Sequence, residues 1–217
     1  KDLMMQAIAN ALLEYAELHS TRESKLLEKL RRETFQKVLH PRMLSGPLQG
    51  RLLSLISKLI RPKRILELGT YTGYATLCLS EGLVQDGDIH TIDKNEELIA
   101  IQNKYFKSSG KRSNIHQHLG EALSILPQLE GPFDLVFIDA DKENTQAYFD
   151  LCMERVPSGG LILTDNVLWS GKVLDSADKD DRDTLALQEF NHKVANDSRV
   201  ESLMLPLRDG ITLSRVL

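Results

Sequence analysis

Cysteine is scarce. Cys78 and Cys152 are the only two among 217 residues, too few for the disulfide framework of a small secreted domain, and both fall in helix-like contexts. A reduced, cytoplasmic protein is therefore expected. No apolar run approaches the roughly 18 residues that cross a bilayer, and no secretory leader is legible, so no membrane partner is expected. Neither sign of charge dominates: 27 basic and 31 acidic residues leave a formal net charge of −4. No basic stripe is visible, which counts against nucleic acid as the main partner. Aromatic residues are few, with a single tryptophan, Trp169. The six histidines show no metal-ligand spacing and are read as structural. Repeats and low-complexity tracts do not stand out. At 41% hydrophobic and 27% charged residues, the composition is that of a globular chain and excludes a disordered or fibrous one.

What is present alternates. Leu3, Met4, Ala7, Ile8, Ala11, Leu12, Tyr15 and Ala16 recur at helical spacing over residues 2–18. Leu26, Leu27 and Leu30 mark a second helix. Pro41, Gly46 and Pro47 mark a loop before helical residues 48–60. From Arg64, strands over 65–68, 88–92, 115–119, 133–138 and 160–164 alternate with helices over 73–83, 95–107, 122–129, 144–155 and 183–196. Such alternation predicts βαβ units and a parallel sheet covered on both faces. Two last strands, 199–205 and 211–216, are joined by Leu207-Arg208-Asp209-Gly210, a link so short that the pair must be antiparallel. The expected class is α/β: a mostly parallel sheet, helices on both faces and a C-terminal antiparallel hairpin. One domain is expected over 1–217, with a helical extension or lid (1–40) ahead of the core (60–217). The charged run 175–183 reads as a solvated loop.

In open α/β sheets, ligands bind beyond the carboxyl ends of the strands. At those ends stand Glu67 and Gly69, Asp93, Asp139 and Asp141, then Asp165 and Asn166. Aspartate often closes strands for turn reasons alone, but so many at one edge point to a polar ligand. The first turn, Glu67-Leu68-Gly69-Thr70-Tyr71-Thr72-Gly73, carries G-x-x-x-G rather than the G-x-G-x-x-G of dinucleotide binders, which disfavours NAD and FAD. Asp93 ends the next strand, where a carboxylate accepts ribose hydroxyls. A nucleoside-bearing ligand without a pyrophosphate fits, S-adenosylmethionine first. In Asp139-Ala140-Asp141-Lys142 with Asp165-Asn166, two carboxylates and an amide oxygen are hard ligands suited to Mg²⁺, with Ca²⁺ or Mn²⁺ as substitutes. Lys142 either acts as a base or simply pairs with Asp139. Trp169 either stacks on a flat acceptor or packs its own loop. Arg31, Arg32, Lys37 and Arg42 either meet the phosphates of a CoA-type acceptor or form a solvated helix face.

Glu67-Leu68-Gly69-Thr70-Tyr71-Thr72-Gly73-Tyr74, Ile92-Asp93, Phe137-Ile138-Asp139-Ala140-Asp141-Lys142 and Asp165-Asn166-Val167-Leu168-Trp169 together resemble the cation-dependent O-methyltransferases, the family of caffeoyl-CoA and catechol O-methyltransferases. The likeness runs from Met43 to the C-terminus; the first 35 residues match only in being helical. It implies the Rossmann-like class I methyltransferase fold with a seven-stranded sheet, S-adenosylmethionine as methyl donor and a divalent cation. It also implies a small catechol-like or hydroxycinnamoyl-CoA-like acceptor, and a homodimer using the N-terminal helices. By position, Asp139, Asp165 and Asn166 correspond to metal ligands, and Lys142 to the general base beside the catalytic Asp139. Glu67, Gly69, Thr70, Asp93, Ala122 and Asp141 correspond to donor contacts, and Ser45 lines the donor site. Two positions depart from the plant pattern. Ala75 stands where a serine often holds the donor's methionine end, so that contact falls to backbone. Ser170 stands where the plant enzymes carry a substrate-contacting asparagine, so with Trp169 it marks the acceptor side without specifying the plant acceptor. Some bacterial relatives methylate 5-hydroxyuridine in tRNA, an alternative that the net charge counts against. A donor-binding protein without catalysis would need neither Lys142 nor the three metal-ligand positions.

Overall fold

The computed structural model of the protein describes residues 11–217. The expected helix over 2–18 lies partly outside them; residues 11–18 are helical. Then come α1 (Lys25–Lys37), α2 (Gly46–Ile60), β1 (Arg64–Leu68), α3 (Tyr74–Ser80), β2 (Asp88–Asp93), α4 (Ile99–Ser108) and β3 (Ile115–Leu119). The chain continues through α5 (Ala122–Ile125), β4 (Leu135–Ile138), α6 (Thr145–Met153), β5 (Leu161–Asp165), α7 (Arg182–Ala195), β6 (Val200–Leu205) and β7 (Ile211–Val216). Local chemistry sets several of these boundaries. The Ser24 side chain accepts from the Leu27 N–H and caps α1. The third helix stops at Ser80 rather than Leu83 because Gly82 must pass against α2; a Cβ there would stand 2.1 Å from the Ser57 carbonyl carbon. The fourth strand starts at Leu135 rather than 133. Asp134 ahead of it turns its carboxylate to the Lys63 and Arg64 N–H groups, at 2.7 and 3.0 Å.

The seven strands form one sheet in the order β3-β2-β1-β4-β5-β7-β6. The first five run parallel; β7 is antiparallel to both β5 and β6. Alternate residues of a strand face opposite layers, and here both layers are apolar. Ile65, Ile89, Phe137 and Leu163 pack with Leu27, Leu53 and Cys78 of α1–α3. Leu66, Val136, Ile138 and Ile162 pack with Phe149 of α6 and Phe190 of α7. Helix α1 is thus part of the core, and Thr34 Oγ1 donates to Thr72 Oγ1 at 3.1 Å. Both cysteines are free and buried. Among the described residues no helix is long and apolar enough to cross a membrane. Strand order reverses between β1 and β4, and at such a switch point the crossover connections diverge and leave a crevice above the carboxyl ends.

Candidate active site

That crevice is a cleft of about 1750 Å³. A single small-ligand pocket measures roughly 300–1,000 Å³, so two reactants fit here side by side. Gly69, Asp93, Ala122, Asp139, Asp141, Lys142, Asp165, Asn166 and Trp169 all line it; Ser45, Glu67, Thr70, Ala75 and Ser170 do not.

On the side of β1 and β2, Gly69 sits at φ +99°, and a Cβ there would lie 2.0 Å from the Asp139 carbonyl oxygen. Glycine is what lets the β1 and β4 tips converge. Asp93 Oδ2 accepts from the Tyr71 N–H at 2.6 Å and Oδ1 from the Asn95 N–H at 2.8 Å. Its carboxylate is therefore fixed, with lone pairs left for a ligand's hydroxyls. Glu67 lies beneath the glycine turn with no exposed surface. Its Oε2 accepts from Thr76 and from Thr91 Oγ1, and Thr91 Oγ1 meets Thr70 Oγ1 at 2.6 Å. Burial pushes Glu67 up to about 8, although both threonine bonds oppose this. Glu67 and Thr70 thus brace the turn from below, and Ala75 is buried in α3.

On the side of β4 and β5, Asp139 follows β4 and Asp165 ends β5; the pairing of Ile138 with Thr164 makes their tips neighbours. Lys142 Nζ lies 3.1 Å from Asp139 Oδ1, and the two side chains keep 12% and 21% of their surface exposed. Asp165 Oδ2 accepts from Gln49 Nε2 at 2.6 Å, and Oδ1 from the Asn166 N–H at 2.8 Å. Asn166 has φ 61°, a left-handed conformation that asparagine tolerates. Burial raises the carboxyls of Asp139 and Asp165 above the ordinary range; for Asp139, Lys142 opposes this and Asp165 adds to it. Buried Asp165 and half-buried Asp139, both resisting ionisation, form with the Asn166 amide oxygen a hard donor set that a dication would neutralise, so these residues fit Mg²⁺. Asp141 accepts from Asn144 Nδ2 and from the Tyr148 hydroxyl, each at 2.5 Å.

The sequence pattern of a family described as O-methyltransferase matches residues 17–217. The chain belongs to the O-methyltransferase family. It is 34% identical over 206 residues to the caffeoyl-CoA O-methyltransferase of Stellaria longipes, covering 89% of this chain and 84% of that one. It is 33% identical over 225 residues to the flavonoid 3',5'-methyltransferase of Vitis vinifera, covering 98% and 95%. Among solved structures, an O-methyltransferase from Streptomyces achromogenes, involved in tomaymycin synthesis and in complex with SAM, superposes with a TM-score of 0.86. Its identity is 30%, over 95% of this chain and 96% of that one.

Two further walls of this methyltransferase come from the end of α1 and the loop after it, with Lys37, His40, Arg42 and Met43, and from the hairpin turn between β6 and β7, with Arg208 and Asp209. Asp209 Oδ1 accepts from the Ser170 N–H at 2.5 Å, and the Leu168 N–H donates to the Asp209 carbonyl at 2.8 Å. Arg208 Nη1 donates to the carbonyls of Leu44 and Ser45 and to Gln49 Oε1. Ser45 is thus buried under Arg208, and Ser170 is held outside the cleft by Asp209. Trp169 and Ser170 both have positive φ, 45° and 54°. Gln49, Tyr148, Arg208 and Asp209 escaped sequence reasoning. The only signal was Asp-Gly in the hairpin turn, which marks a turn and not its long-range partners.

Proposed function

We propose that this enzyme transfers a methyl group from S-adenosylmethionine to a hydroxyl of a small catechol-like or hydroxycinnamoyl-CoA-like acceptor. Mg²⁺ is the expected divalent cation, with Ca²⁺ or Mn²⁺ able to substitute. One juxtaposition carries this: Asp139 and Asp165 at neighbouring strand tips, with Lys142, in the same cleft as Gly69 and Asp93. The caffeoyl-CoA and flavonoid enzymes among its relatives support a phenolic acceptor, and the relative in complex with SAM supports the donor.

In this assignment Asp93 binds the donor's ribose and Gly69 gives its backbone room, while Glu67 and Thr70 brace that turn and Ala75 leaves the methionine end to backbone. Asp139, Asp165 and Asn166 would hold the cation, which supplies charge favouring the ionised form of an acceptor hydroxyl. Lys142 Nζ receives the hydroxyl proton as general base. Gln49 and the Asn166 N–H keep Asp165 aimed. Trp169 offers a ring face to a flat acceptor. The methyl carbon leaves sulfur for oxygen, and holding both reactants in one cleft supplies much of the rate. The same reading extends to a single domain over 1–217 and to a homodimer. Leu12, Tyr15, Leu18, Leu55 and Leu59 are exposed and offer apolar surface for a second copy; sedimentation at a monomer's mass across micromolar concentrations would refute the dimer.

The deciding experiment is a radiolabelled-methyl screen of catechols, hydroxycinnamoyl thioesters and hypomodified bulk tRNA, with Mg²⁺ or with EDTA. Label is expected on the phenolic acceptors with Mg²⁺ only. Label on tRNA alone overturns the acceptor class, and undiminished label in EDTA overturns the cation's role.

A further inference from the structure

Three of the six histidines converge on β2 and β3, and none of them lines the reaction cleft. Strands β2 and β3 pair in register, His90 opposite His116 and Ile92 opposite His118. Because strand side chains alternate, Asp88, His90, His116 and His118 share one face of the sheet. Asp88 Oδ2 lies 3.6 Å from His90 Nε2 and 3.6 Å from His116 Nε2. The three ligand atoms all lie within 4.8 Å of one another. A tetrahedral zinc ion with bonds near 2.0–2.1 Å sets its ligand atoms about 3.4 Å apart, so the two aspartate–histidine separations of 3.6 Å already lie within a few tenths of an ångström of coordination spacing, and the two rings have to close on the ion from a separation of at most 4.8 Å.

The hydrogen bonds around His90 also present the correct nitrogen. A guanidinium only donates, and Arg64 Nη2 lies 3.1 Å from His90 Nε2, so Nε2 accepts and carries the lone pair. The proton then sits on Nδ1, which donates to His118 Nε2 at 3.0 Å. A ligating imidazole ordinarily donates its other N–H to a neighbouring acceptor in this way. His118 would be that second partner.

We propose that Asp88, His90 and His116 form a second metal site, at the amino end of β2, that takes zinc and not magnesium. Two imidazoles and one carboxylate suit a borderline transition metal, whereas the all-oxygen set of Asp139, Asp165 and Asn166 suits a hard one. Burial lowers the affinity of His90 and His118 for protons, which favours a neutral His90 able to ligate and a neutral His118 able to accept its Nδ1 proton. The ion enters beside His116, whose side chain is 46% exposed, and its fourth position faces water. Arg64 also pairs through Nε with Asp88 Oδ1 at 3.4 Å, the oxygen turned away from the histidines; on metal binding it gives up His90 and stays held by Asp88 Oδ1, by the Glu130 carbonyl at 2.6 Å and by the Phe133 ring face. The bound ion pins edge strand β3 to β2, whose far end carries Asp93.

The test is zinc competition against a chromophoric chelator on the full chain, without a histidine tag and under saturating Mg²⁺, with Co²⁺ spectra in parallel. One equivalent of Zn²⁺ should bind, the Co²⁺ form should show the intense visible bands of tetrahedral coordination, and Zn²⁺ should raise the melting temperature. His116→Ala, at an exposed position, should weaken Zn²⁺ at least tenfold and abolish those bands. His118→Asn should weaken it about tenfold, as loss of an outer partner does. Equal Zn²⁺ affinity in wild type and His116→Ala, or binding that excess Mg²⁺ displaces, would overturn the site. Asp88→Asn, nearly isosteric, repeats the measurement should His116→Ala prove unstable.

Discussion

At the scale of single residues, the Asp165 carboxylate is held from two sides, by Gln49 Nε2 at 2.6 Å and by the Asn166 N–H at 2.8 Å. Gln49→Leu strips one buried oxygen of its donor, which costs about 1–3 kcal/mol. The expected outcome is lower stability in urea and Mg²⁺ affinity weakened by about 10–100-fold, the usual effect of losing a partner behind a metal ligand; a Mg²⁺ titration of the folded variant separates the two. Lys142→Ala should lower turnover by about 10²–10⁴, the range for a positioned base, with donor binding retained in calorimetry. Unchanged turnover would remove Lys142 from that role. Asp139→Asn should likewise lose turnover and keep the donor. The residues legible beforehand were those whose chemistry follows from strand-end position: Asp93, Asp139, Asp165 and Asn166 all line the cleft. Gln49 and Arg208 were not legible, because a buried amide or guanidinium gains meaning only from a partner more than a hundred residues away.

At the scale of elements, the β1 and β4 tips touch through Gly69. Gly69→Ala combines a left-handed φ, about 1–3 kcal/mol, with a clash on the Asp139 carbonyl. Melting should fall, and donor affinity should fall with it because Asp139 and Asp93 no longer share one rim. Two ion-pair clusters fasten the helices. Bonds from Lys104, Lys37 and Tyr105 hold Glu33 of α1 down at about 2. For Glu81, which follows α3, burial pushes upward, but bonds from Arg51, Lys58 and Ser54 outweigh it and hold it at about 2. A depressed carboxyl contributes its full stability above its unfolded value of 4.5, and that contribution fades as pH falls toward 2. Urea midpoints should therefore drop between pH 4.5 and 2, and Glu81→Gln should flatten that slope. Buried Glu67 acts with the opposite sign: held up at about 8, it lowers stability as pH rises from 4.5 to 8 and adds no slope beyond, a decline that Glu67→Gln removes. Element type was readable from apolar periodicity. Boundaries at Ser80 and Leu135 were not, since they depend on how Gly82 meets α2 and how Asp134 bonds the start of β1.

At the scale of the whole molecule, the parallel run from β1 to β5 and the closing antiparallel pair were foreseeable from alternation and turn length. Alternation does not reveal that β7 lies between β5 and β6, because pairing order depends on which edge stays open when the last strands arrive. That placement bears on biosynthesis. Translation delivers β5 well before β7, and β6 only one short turn ahead of it, so until Ile211 onward leaves the ribosome the two strands that flank β7 expose bare amides and carbonyls. Arg208, meanwhile, cannot reach Leu44, Ser45 or Gln49 until that same segment has seated. A transcript broken off just short of the final strand should yield sticky, insoluble polypeptide rather than a weakened catalyst, and pelleting of translation products halted at Gly210 would reveal it.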